Sequence, residues 1–130
     1  MGTKSTKSAV NFILNTLNTL KIKKLSYQEV YNLLENKSTN SSDYLEKLIT
    51  QDDFISLAEL NFFDNSDSNT NKLFQRDYFI SLFKSSKGFP TDEQVNISRI
   101  LLLLLPFLNN NIEEKTKIFY YCLSNLEKKN

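Results

Sequence analysis

Histidine and tryptophan are absent from this chain of 130 residues, cysteine occurs once, and glycine and proline occur twice each. Without histidine there can be no Ser-His-Asp or Cys-His constellation and no imidazole metal site, and the single Cys122 excludes a disulfide within the chain and a thiolate zinc cluster. Charge of one sign is lacking too. Sixteen Lys and Arg against fifteen Asp and Glu leave a formal charge of +1, so no overall field draws in nucleic acid, and no nucleic-acid partner is expected. The longest apolar run, Ile100 to Leu108, is broken by Pro106 and is about half of the ~20 residues a spanning helix needs. The first ten residues lack the apolar core of a secretory signal, which together with the lone thiol points to a cytoplasmic chain. The acidic pairs Asp52-Asp53 and Glu113-Glu114 are neighbours that diverge by about 100° around a helix and face no common substrate. They read as first-turn charges favoured by the helix dipole, Cys122 reads as a core thiol, and no catalytic residue is expected.

What the chain does have is 40% hydrophobic residues, ten Phe and six Tyr, enough for one packed domain. Residues 1–7 read as a flexible start, 8–126 as a single helical domain and 127–130 as a tail. Val10, Ile13, Leu14, Leu17 and Leu20 recur at helical spacing. After the basic link Lys21-Ile22-Lys23-Lys24, Ser26 and Glu29 form a capping box that opens a helix to about Glu35. Ser42-Asp43 predicts a further helix carrying Tyr44, Leu45, Leu48 and Ile49, either separate from or continuous with one capped at Thr50 to Asp53 and bearing Phe54, Ile55, Leu57 and Leu60. Residues 64–71 are all small and polar. A helix with Tyr78, Phe79, Leu82 and Phe83 follows, and Thr91 to Gln94 is a capping-box candidate for a helix from Val95 that Pro106 ends or bends. Asn111 with Glu114 caps a last helix, Ile112 to about Leu126. The expected fold is therefore all-α, with six or seven short helices.

The stretch from Phe62 to Phe79 resembles an EF-hand, in which a loop of oxygen ligands joins two helices. Asp64, Ser66 and Ser68 stand as ligands from the front, Asp67 lies among them, Leu73 takes the central hydrophobic place and Asp77 that of the closing acid. The loop is too long, lacks the turn glycine and ends in Asp rather than Glu, so calcium is not an expected cofactor. Leu25 followed by Ser26 to Val30 resembles a more eroded unit behind a basic loop, and Ile112 to Leu123 resembles the first helix of a third. The start Met1-Gly2 with Thr6 matches the pattern for myristate on Gly2, with Lys4 and Lys7 close by. Taken together these features resemble the calcineurin B subunit and neuronal calcium sensors, and also the EF-hand-like region of TLDc-domain proteins. The resemblance implies paired, degenerate helix-loop-helix units acting as a regulatory or adaptor module. Such a module binds a protein partner through an apolar groove, for which Phe62, Phe63, Phe79, Phe83 and Phe119 are the candidates, and is held at the cytosolic face of a membrane if Gly2 is lipidated. The alternative is a Bcl-2-like bundle around Ile97 to Leu105. Paired units predict strand contacts between the Leu73 and Leu25 regions, which a Bcl-2-like bundle lacks.

Overall fold

The computed structural model describes residues 3–40, 46–64 and 69–127. Among these the chain is mostly helical, with six α-helices and a small three-stranded sheet. Helix α1 spans Thr3–Asn18, α2 Tyr27–Lys37, α3 Gln51–Asn61, α4 Asn69–Ser85, α5 Ile97–Leu104 and α6 Ile112–Glu127. Strands β1 (Thr39–Asn40), β2 (Lys47–Thr50) and β3 (Gln94–Asn96) form an antiparallel sheet in that order.

Local chemistry starts and stops the helices where the sequence marks them. Ser26 accepts from the Glu29 amide at 3.3 Å while the Ser26 amide donates to Glu29 Oε1 at 3.2 Å, the reciprocal box that opens α2. Asn111 and Glu114 make the same exchange at the start of α6. Thr50 caps α3 by accepting from the Asp53 amide. Pro106 cannot donate to the preceding turn, and α5 gives way at Leu105 to the 3-10 turn Leu105–Phe107.

Three expectations fail, the first two because strand pairing between distant segments overrides a local pattern and the third because α4 starts before the residue expected in a loop. Leu48 and Ile49 lie on a strand rather than a helix, and Ser42 to Leu45 of that expected helix fall outside the described residues. Thr91 to Gln94 does not open a helix. Gln94 begins β3, and the cap of α5 is Asn96, which accepts from the Ser98 amide at 2.8 Å. Leu73 is not the middle of a loop: it lies inside α4 and is 63% exposed, with no strand contact to Leu25.

The sheet links the segments leading into α3 and α5 through the pairs Leu48↔Asn96, Ile49↔Val95 and Thr50↔Gln94. Ile49 and Val95, opposite each other, are both buried. A second bridge joins the segments leading into α2 and α6, where the Asn109 amide donates to the Leu25 carbonyl at 2.9 Å and the Asn109 side chain to the Lys24 carbonyl. The Tyr27 amide also donates to Asn110 Oδ1 at 2.8 Å. Helix α5 is the hub, packing on α2, α4 and α6 and against strands β2 and β3. Ile97, Ile100, Leu101 and Leu104 are buried on it, yet it is two turns long and Leu103 is 40% exposed, so it is not apolar against protein on every side.

Candidate functional site

Of the acidic stretch, the structure describes Asp64 and, further on, Asp77. Ser66, Asp67 and Ser68 lie outside the described residues. Asp64 and Asp77 do not bracket one loop, because α4 already starts at Asn69 and Asp77 is exposed two turns into it. The Asp64 amide is tied to α4 by donating to Gln75 Oε1 at 2.6 Å, and Gln75 is buried beneath it. The Asp64 side chain borders a cleft of about 400 Å³ that it shares with Lys72, Arg76 and Glu59. Two cations beside one or two carboxylates oppose capture of a further cation. Among the described residues no group of three or more acidic, cysteine or histidine side chains could hold a metal ion.

Four of the five phenylalanines expected to line a groove are core residues. Phe62, Phe79 and Phe83 are fully buried and Phe63 is 7% exposed. They pack with Phe54 in one aromatic cluster, Phe63 stacking on Phe79 at 5.5 Å and Phe54 meeting Phe83 at 5.9 Å. Burying rings against rings gains both apolar area and favourable quadrupole geometry, so these five rings fill the interior. Phe119 alone lies on an open surface, 43% exposed.

Around Phe119 the structure forms a groove of about 520 Å³. One wall comes from the end of α5 and the turn after it, with Leu102, Leu105 and Pro106; the other comes from α6, with Ile112, Thr116, Phe119 and Tyr120. Lys115 ties the walls together by donating from Nζ to the Pro106 carbonyl at 3.1 Å. On the α6 wall Ile112 and Tyr120 remain open to solvent, at 76% and 66%. Phe119 and Tyr120 meet edge to face at 5.6 Å, which fixes the orientation of that wall. Ile112 and Tyr120 were not among the expected groove residues, although a signal was available. Three consecutive aromatics, Phe119 to Tyr121, span about 200° of a helix and cannot all face one core.

On the inner face of α6, one turn on from Phe119, the Cys122 side chain is 1% exposed. Burial pushes its thiol above the ordinary range, partly offset by the neighbouring Tyr27 hydroxyl. Burial also raises Tyr27, further helped by the thiol beside it. The acidic pairs stand in the first turns of α3 and α6, as their spacing indicates. No helix among the described residues is long and apolar enough to cross a membrane. No protein-family model matches this chain, and no curated protein and no solved structure matches it either.

Proposed function

We propose that this chain is a non-catalytic interaction module whose groove between α5 and α6 receives the apolar face of a partner's amphipathic helix. The observation that carries the reading is the open groove itself, where Ile112, Phe119 and Tyr120 stay exposed on a helix whose other face is already committed to the core. A helix lying in such a groove buries its i, i+3, i+4 and i+7 side chains without strand pairing or backbone rearrangement.

The EF-hand-like reading is kept as part of the proposal, in a register one helix later than the sequence patterns indicated. In this register α2 and α3 form one helix-loop-helix unit, α4 and α5 the other, and Ile49↔Val95 is the bridge between their loops. The sequences after the bridge run in parallel. Ile49 and Val95 are each followed by a capping residue, Thr50 or Asn96, and four residues on by Asp53 or Arg99, then Phe54 or Ile100. Asp53 would stand as the closing acid of the first unit, but Arg99 takes that place in the second and repels a cation. Myristate on Gly2, which lies outside the described residues, would add the reversible hold of one acyl chain on a membrane.

A photo-crosslinking residue in place of Tyr120, activated in extract from the native cells, tests the groove. The expected product joins Tyr120's position to a helical segment of another protein, with the same yield in calcium and in chelator. Recombinant partner should then bind the Ile112→Asp variant at least about ten-fold more weakly, since a carboxylate would be buried against apolar surface. Normal binding by Ile112→Asp, with its unfolding midpoint unchanged, would overturn the assignment.

A further inference from the structure

The near-neutral total conceals a segregation of charge. Residues 1–28 contain five lysines, at 4, 7, 21, 23 and 24, and no Asp or Glu, so this stretch carries +5, while the remaining eleven basic and fifteen acidic residues leave −4. The same stretch holds an apolar line that the body of the protein does not cover. On α1 the inner side docks through Phe12, edge-on to Phe74 at 5.5 Å, and through the buried Thr16. Lys7, Val10 and Leu14 follow at i, i+3 and i+7 on the outer side, and all three are exposed, Val10 at 47% and Leu14 at 53%. Ile13 widens the line at 39% exposed.

The lysine turn that follows is fixed to the body. Ile22 is fully buried, and its amide donates to the Phe62 carbonyl at 3.3 Å, so Lys23 and Lys24 project from an anchored turn. Lys21 donates from Nζ to the Leu60 carbonyl at 3.2 Å, which sets Leu60, 75% exposed, beside the same turn. Neither of the ion pairs Lys47–Glu35 and Arg76–Glu59 uses Lys7, Lys21, Lys23 or Lys24.

We propose that α1 and the Lys21–Lys24 turn form a docking face for an anionic lipid bilayer, with Val10, Ile13 and Leu14 entering the headgroup boundary and the lysines reaching the headgroup charges. The combination selects this occupant. A second copy joined through the same face about a two-fold axis would set five lysines against five lysines, and a nucleic acid would leave Val10 and Leu14 unburied. An interfacial helix uses both components at once, apolar area below and cationic side chains extended towards the surface. The proposal rests on residues separate from the α5–α6 groove, and either can fail alone.

The full chain, produced without an acyltransferase so that Gly2 is unmodified, is sedimented with vesicles of phosphatidylcholine alone or with about a third phosphatidylserine. Binding is expected only to the anionic vesicles, weakening as salt shortens the Debye length. The paired change Lys23→Glu and Lys24→Glu should weaken it by at least about 25-fold, roughly five-fold for each lysine charge lost. Leu14→Asp, at an exposed position that leaves the unfolding midpoint in place, should weaken it at least about ten-fold by placing a carboxylate in the apolar layer. Ile112→Asp should bind vesicles like the unchanged chain. Equal binding to both vesicle types, no binding to either, or indifference to both the lysine and Leu14 changes would overturn the proposal, as would a stable dimer that Leu14→Asp dissociates.

Discussion

Cys122 and Tyr27 show how much a single buried position determines. The thiol sits on the inner face of α6 with the phenol of α2 beside it, and burial favours the neutral form of both. Above the thiol's unfolded value of about 8.5, the unfolded chain releases this proton while the folded chain keeps it. Stability from this group is therefore fully present below that pH and falls as pH rises towards the folded value. Urea midpoints at about pH 7.5 and about pH 9.5 should fall more for the unchanged chain than for Cys122→Ala, and equal losses would show that the thiol contributes nothing to the slope. Cys122 was legible in the sequence as a core thiol because its spacing with Ile118 places both on one helical face. Phe62, Phe63, Phe79 and Phe83 were legible as apolar but not as interior, since composition cannot tell a ring that lines a groove from one that fills a core. Each of these core rings carries about 3–5 kcal/mol against truncation to Ala.

At the scale of elements, side-chain caps carry the starts of α2, α3, α5 and α6. Ser26→Ala removes the acceptor for the Glu29 amide and leaves half of a reciprocal box, so it should cost about 1 kcal/mol and lower the urea midpoint accordingly. A midpoint within error of the unchanged chain would mean that water replaces the Ser26 hydroxyl without loss. These caps, the stop at Pro106 and the span of α6 were readable because each depends on residues within one or two turns of one another. The strands were not. Ile49 finds Val95 across 46 positions of sequence, and in isolation Leu48-Ile49 is a short apolar pair equally suited to a helix. Leu25 shows the same limit in another form: the sequence marked it as a bridging residue, and its carbonyl does accept a bond from another loop, but the donor is Asn109 rather than the Leu73 region.

For the whole molecule, the placement of charge matters more than its sum. Lys72 and Arg76 stand with Glu59 and Asp64 around one cleft, and Arg99 follows the Val95 bridge where a closing acid would stand, so among the described residues added calcium meets no strongly anionic cage. About 1 mM calcium should leave the thermal unfolding midpoint where chelator leaves it, because a ligand that binds the folded state raises the midpoint by mass action. A clear rise in calcium would place a working cation loop in the chain and overturn this expectation. Periodicity and neighbouring hydrogen bonds are enough to make the chain mostly helical, to start α2, α3 and α6 at their caps and to place Cys122 in the core. The sequence also contains the +5 segment, which needs only counting. Packing between distant segments sets the sheet between the segments before α3 and α5, puts Phe62, Phe63, Phe79 and Phe83 inside, and leaves Ile112 and Tyr120 in the open. Those outcomes depend on which surfaces meet first and most fully, and burial between segments far apart in sequence leaves no local trace in either one.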